Sequence, residues 1–150
     1  MIAFTGNVNK NILDNYLSDP YYECSPPKSL DVNDFTLDPL RNLNLKDSVT
    51  TLSDLTSLTI VNALNFFSLK PIEIILCGGG RKNKYIFENI KKLSNIKINN
   101  IDNYNINGDF IESQAFAYLA IRSFLKKPIS FPNTTGVKKP ISGGDIIKFK

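Results

Sequence analysis

Three consecutive glycines, Gly78, Gly79 and Gly80, stand between an apolar run ending at Cys77 and a helical pattern that starts after Asn83. Residues of this type in this place suit one kind of chemistry, the close approach of a ligand to the main chain. Glycine has no Cβ and reaches positive φ without steric cost. In open α/β sheets, ligands bind beyond the carboxyl ends of the strands. The helix that follows would direct free N–H groups toward an anion. The charge–dipole contribution there is only about 0.3–1 kcal/mol per charge, enough to orient a phosphate and too little to hold one alone. Two phosphate loops are excluded. The lysine and hydroxyl of the Walker A pattern are missing, and Asn83 stands where G-x-G-x-x-G needs its last glycine. The competing reading is a tight strand–helix turn without a ligand, with Asn83 as a simple N-cap and Arg81 and Lys82 as solvated turn residues. The residues leave both readings open.

Glu112 is the second candidate. It lies three residues after Asp109 at the start of another helical pattern, the spacing of a capping box. Together with the cap, such a pair stabilises a helix start by about 0.5–2 kcal/mol. A catalytic carboxylate would need a second functional group and a cleft around it. Histidine is absent, which removes the commonest general base and zinc ligand. Cys24 and Cys77 lack metal-ligand spacing, and Cys77 reads as a small buried hydrophobe. The residues therefore nominate no catalytic group and no metal ligand.

The elements that would position these candidates follow from periodicity. Val8, Ile12, Leu13, Tyr16 and Leu17 share one helical face, with Asn7 as the expected N-cap. A longer helix is expected from Lys46 to about Ser68, with an apolar arc wide enough for burial on two sides. "IEIILC", Ile72–Cys77, is a β-branched, nearly continuous apolar run that suits a strand covered on both faces. Tyr85, Ile86, Ile90 and Leu93 make an amphipathic helix, and Ile96–Ile101 alternates as a strand. The unit is βαβ, with a right-handed crossover. A third main helix starts near Asp109, where Ala115, Ala117 and Ala120 would allow a neighbour close. "MIAFTG" and "DIIKF" offer a further short strand at each end. The fold class is α/β, three main helices around a few mostly parallel strands. A two-stranded sheet is marginal on its own, so strands are expected to come from elsewhere.

Composition bounds the rest. The chain has 150 residues, 42% apolar and 21% charged, with a net charge of +4. This is a globular composition. Only Arg41, Arg81 and Arg122 are arginines, and no basic cluster with interleaved aromatics appears, so nucleic acid is not an expected partner. No apolar run spans a bilayer, and the N-terminus lacks a signal-peptide pattern. Two cysteines without pairing signals fit a reducing, cytoplasmic compartment.

Several stretches taken together resemble one family. "ILCGGGRKNKYIFENI", "GDFIESQAFAYLAIR" and "FPNTTGVKKPISGG" resemble, in order and spacing, the C-terminal part of anhydro-N-acetylmuramic acid kinases. The family pattern there is a strand, C-G-G-G-x-x-N, a helix, D-x-x-E-A-x-A-F-A and a T-G tail. "DPYYECSPPKS" resembles the family's D-P-Y-F stretch with its P-P-K-S. The resemblance covers nearly the whole chain. It implies an actin-like (ribonuclease H-like) lobe of the sugar-kinase, heat-shock and actin superfamily. It implies use of ATP and magnesium in a complete kinase, which opens the anhydro ring of an amino sugar with water and phosphorylates it in cell-wall recycling. By resemblance, Gly78, Gly79, Gly80 and Asn83 lie on the nucleotide side of the cleft, and Glu112 lies toward the sugar.

The departures shape the functional expectation. The family's N-terminal phosphate loop, G-x-M-S-G-T-S-x-D-G, has no match here, and neither has F-D-T-G-P-G-N with its general-base aspartate. "PPKSLDVNDF" replaces P-P-K-S-T-G-R-E-x-F, and Ser113 stands where the family usually has alanine. Residues 1–150 are thus expected to form one C-terminal lobe without its N-terminal domain. Alone it would be inactive, and it would work with a separately encoded N-terminal half. The alternatives are an inactive gene fragment and a nucleotide-binding module without kinase activity.

Overall fold

The computed structural model describes residues 2–147 of the chain. Helix α2 (Leu45–Ala63) is its hub. Helices α1 (Lys10–Leu17) and α3 (Lys84–Ser94) pack on it, as does a 3-10 turn at Ile2–Phe4. Four of its five buried side chains carry a hydroxyl: Thr50, Thr51, Ser53 and Ser57, with Leu55 among them. Small side chains let neighbouring main chains come close, and each buried hydroxyl then needs a partner. Ser57 Oγ donates to the Ser53 carbonyl at 2.9 Å, the back-bond to residue i−4 that a buried helical serine favours.

The same face stitches the N-terminal segment down. Thr50 Oγ1 bonds the Ala3 carbonyl at 2.9 Å. Thr51 Oγ1 accepts from the Asn9 N–H at 3.0 Å, and Asp47 Oδ1 accepts from the Asn7 N–H at 2.6 Å. Asn7 is therefore bound to α2 through its main chain, and the N-cap of α1 is Asn9. The Asn9 side chain accepts from the Ile12 N–H at 3.1 Å. The α-helical part of α2 stops at Ala63, short of the expected Ser68, and tightens into a 3-10 turn at Leu64–Phe66. Such tightening is common at helix ends.

The βαβ unit is present. Strands β1 (Glu73–Leu76) and β2 (Lys97–Asn100) pair in parallel, with Glu73 opposite Lys97 and Leu76 opposite Asn100. Between them α3 buries Ile90 completely and ends in Asn95, at φ +52°. Left-handed asparagine is a common helix terminator. Asp54 of α2 accepts from Tyr85 Oη at 3.3 Å and Asn89 Nδ2 at 2.6 Å, which fixes α3 on α2. The Tyr85 ring meets Phe4 edge to face, with centroids 5.2 Å apart.

Several expectations fail, and for related reasons. Among the described residues the sheet has two strands. Ile2–Phe4 is a 3-10 turn rather than a strand: the Ile2 carbonyl accepts from the Thr5 N–H at 2.9 Å, and the Ala3 carbonyl turns inward to Thr50 of α2. Residues 145–147 of "DIIKF" are not in a strand, and the rest of that stretch lies outside the described residues. The strand expected to be covered on both faces is open. Ile72 is 93% exposed, Ile75 is 43% exposed, and Cys77 is exposed rather than buried. Helix α4 (Ile111–Phe124) has no buried residue, and Ala115, Ala117 and Ala120 are all exposed. A short α5 (Pro132–Thr135) follows. Among the described residues the arrangement is α/β: five α-helices with a two-stranded parallel sheet. No helix among the described residues is long and apolar enough to cross a membrane.

Candidate functional site

Strand β1 ends one residue before Cys77, and the glycines turn the chain back toward α3. Gly78 has φ +71°, a conformation that disfavours any side chain. Its N–H donates to the Gly108 carbonyl at 3.1 Å, so the turn rests directly on the loop that leads into α4. Gly79 to Lys82 form a 3-10 turn. An ideal Cβ built on Gly79 or Gly80 meets no atom within 4 Å among the described residues. Gly78 is explained by its backbone conformation. The packing of the described residues gives no reason for the other two glycines, and they present bare main chain to open space.

Asn83 is the N-cap of α3. Its Oδ1 accepts from the N–H groups of Tyr85 at 3.1 Å and Ile86 at 3.4 Å. Two of the donors that the helix would have turned toward an anion are thereby occupied. The open part of the site is the glycine main chain.

Arg81, expected to be solvated, is 7% exposed. Its Nε and Nη2 form a bidentate pair with Asp102, at 2.5 and 3.1 Å. Nη1 donates to Asp109 Oδ1 at 2.7 Å and to the Gly78 carbonyl at 2.9 Å. Asp102 also accepts from the Gly108 N–H at 3.1 Å. Lys82, largely exposed as expected, reaches Asp109 at 2.7 Å. Arginine suits this place because its planar fork satisfies two carboxylates and a carbonyl at once.

The clamp also changes the start of α4. Asp109 is turned to Arg81 and Lys82 and so does not cap the helix. The N-cap is Phe110, without a side-chain cap bond, and the expected capping box does not form. Glu112 is exposed in the first turn of α4. The structure thus joins Gly78–Gly80 to the loop that carries Asp109 and leads to Glu112. The cavities of about 710 Å³ along α4 and about 440 Å³ between α2 and the Tyr21–Tyr22 segment contain none of the five candidate residues. The glycine turn is an open wall.

The electrostatics give the clamp a sign. The Arg81 guanidinium and the Gly108 N–H hold the Asp102 carboxyl down to about 2. Arg81 and Lys82 hold Asp109 at about 2 as well. The paired carboxylates in turn keep Arg81 firmly charged. Both aspartates return to the ordinary value of 3.8 when the chain unfolds. Between these values the unfolded chain binds more protons, so stability falls as pH falls. The contribution is complete above about pH 5 and is lost toward about pH 2. Glu73, held at about 2 by Lys97, Tyr104 and Asn99, adds to the same acid loss. Thermal midpoints measured from pH 6 to pH 2 should therefore drop less steeply in Asp102→Asn than in the wild type. Equal slopes would show that Asp102 has its ordinary acidity.

The donor set also bears on cofactors. Bare main chain at Gly79 and Gly80 fits an anionic ligand such as a nucleotide phosphate. No group of three acidic, cysteine or histidine side chains able to hold a metal occurs among the described residues. Asp102 and Asp109 are already neutralised by Arg81 and Lys82. These residues do not fit a protein-held magnesium ion.

A parallel βαβ unit with an open glycine turn at the carboxyl end of its first strand defines an α/β protein of the kind that meets ligands past its strands. Comparison with known proteins is more specific. The family described as anhydro-N-acetylmuramic acid kinase matches residues 1–148. The anhydro-N-acetylmuramic acid kinase of Zymomonas mobilis is 38% identical over 146 residues, 97% of this chain and 40% of the relative. That of Pelagibacter ubique is 51% identical over 126 residues, 80% of this chain and 34% of the relative. That of Caulobacter vibrioides is 38% identical over 146 residues and is matched over 39% of its length. The chain belongs to the anhydro-N-acetylmuramic acid kinase family. It spans 34–40% of the length of these curated relatives.

Proposed function

We propose that this chain is the C-terminal, nucleotide-side lobe of an ATP-dependent anhydro-N-acetylmuramic acid kinase, with the actin-like fold of that superfamily, at work in the cytoplasm. Gly78, Gly79 and Gly80 line the nucleotide, Asn83 holds the helix behind them, and Glu112 faces the amino sugar. The observation that carries the reading is the bare main chain at Gly79 and Gly80, which the packing of the described residues does not require. Catalysis by such a lobe is positioning: phosphoryl transfer depends on groups placed on both sides of a cleft. The opposite side comes from the N-terminal part of the kinase, separately encoded or joined to this chain. Helix α4 supports a missing neighbour, since Phe116, Tyr118, Ile121 and Phe124 all lie exposed on it. Exposed apolar surface of that extent marks an interaction surface.

The test adds methyl groups to the wall. Gly79→Ala and Gly80→Ala place a Cβ where it touches nothing, so the thermal midpoint should hold or rise slightly. In the assembly of this chain with the N-terminal part, the KM for ATP should rise by about tenfold, a loss of about 1.4 kcal/mol. ADP release and formation of the phosphorylated sugar are the readouts. An unchanged KM in both variants would remove the glycines from the nucleotide site. Turnover by the chain alone would overturn the need for a second side. Tight ATP binding without turnover in the assembly would favour the binding-module reading.

A further inference from the structure

Arg81 is the buried side chain among the contacts that join the two halves of the proposed site, beside the exposed pair of Lys82 with Asp109 and a main-chain bond. Gly78 belongs to the turn after β1, Asp102 to the segment that leaves β2, and Asp109 to the loop that enters α4. Arg81 touches all three. The bond from the Gly78 N–H to the Gly108 carbonyl, and that from the Gly108 N–H to Asp102, close the same ring of contacts. Gly108 itself is packed against the guanidinium, leaving no space for a side chain. An arginine used only as a solubilising turn residue would not be buried among two carboxylates and a carbonyl.

We propose that Arg81 is a positioning residue: by holding the Gly78 carbonyl, Asp102 and Asp109 together, it sets the glycine turn and the start of α4 in one register, so that contacts to nucleotide and to sugar are fixed jointly. The inference rests on the reading of Gly78–Gly80 and Glu112 given above. Arg81 touches neither ligand in this scheme. It acts through the Gly78 carbonyl on one side and through Asp109 on the other. Loss of the clamp therefore affects both substrates, whereas a residue of the nucleotide wall alone would affect one.

Two measurements test it. The first is kinetics in the assembly of this chain with the N-terminal part. Arg81→Gln should raise the KM values for ATP and for the anhydro amino sugar together, with kcat/KM down by up to ~10²-fold, the scale expected of a misplacement near 1 Å. Arg81→Lys should recover part of this, since an ammonium reaches one carboxylate but cannot fork across both. Asp109→Asn keeps the Asp102 pair and the fold, and should show a milder joint rise. The second is amide hydrogen exchange in the chain alone. Arg81→Gln should speed exchange at residues 78–82 and 108–112 together, with α1 and α2 unaffected. Unchanged KM values in both Arg81→Gln and Asp109→Asn, or a rise for ATP alone, would overturn the proposal. So would faster exchange in only one of the two segments. An inactive wild-type assembly would refute the functional reading before any variant is made, and the exchange experiment would still decide whether the clamp couples the two segments.

Discussion

Replacing Gly6 with alanine is expected to lower the thermal midpoint of the chain by roughly 10 °C. An ideal Cβ at this position falls on the carbonyl group of Lys46 and 2.5 Å from Thr50 Oγ1. The carbonyl belongs to the first turn of α2, which cannot yield without unwinding the helix. Thr50 is 2% exposed and already bonds the Ala3 and Lys46 carbonyls. The N-terminal segment must therefore lift away. That movement uncovers Ala3, now 1% exposed, and opens the bonds that Asp47 and Thr51 accept from Asn7 and Asn9. Overpacking against a rigid partner costs about 3 kcal/mol, the upper part of the usual range. Gly143→Ala is the control. Its Cβ would lie 3.3 Å from Ile129 Cδ1, the end of a side chain that can turn aside, and the midpoint should barely move. Thermal melts followed by circular dichroism compare the two. A Gly6→Ala midpoint equal to that of wild type would mean that the segment does not sit on α2.

Local pattern was enough for some of this structure and not for the rest, and the division follows the range of the forces. The strand, glycine turn and helix from Ile72 to Leu93 are written in contiguous residues: β-branched apolar side chains, then glycines, then a 3.6-residue period. They form as the pattern requires. The cap at Asn83 is equally local. The burial of Arg81 is not, because its partners lie 21 and 28 residues further on, and the residues beside it read as an ordinary charged turn. The same distant pairing removes Asp109 from the capping box that its spacing with Glu112 suggests. Helix α2 misled in a different way. Its buried face carries threonine and serine, since close approach of the N-terminal turn and the flanking helices favours small side chains whose hydroxyls return to main-chain carbonyls. Helix α4 has a strong apolar composition and buries none of it among the described residues. No contiguous pattern says whether such a face is covered from within the chain, since that depends on distant residues.

Gly108→Ala is expected to break the clamp, and the way in which it does so can be measured. A Cβ there would collide with Arg81 Nε and stand 2.6 Å from Cζ and 2.8 Å from Cδ. An arginine side chain is normally free to move aside. This one is held by two carboxylates and the Gly78 carbonyl. The Gly108 main chain is held as well, its N–H by Asp102 and its carbonyl by the Gly78 N–H. Neither side can give without loss of charge pairing, so the midpoint should fall by roughly 5–10 °C at neutral pH. The effect depends wholly on the presence of the guanidinium. In an Arg81→Ala background the Cβ has room, and Gly108→Ala should then be nearly silent, a coupling that a double-mutant cycle reads directly. Acid provides an independent check. Once Arg81 is displaced, Asp102 keeps only the Gly108 N–H and Asp109 only Lys82, so both carboxyls rise toward ordinary acidity. The loss of stability between about pH 5 and pH 2 should then become shallower in Gly108→Ala and in Arg81→Ala alike, with Glu73 supplying what remains. Additive costs in the cycle, with the wild-type pH slope retained, would show that Gly108 is needed for its backbone and not for the arginine it faces.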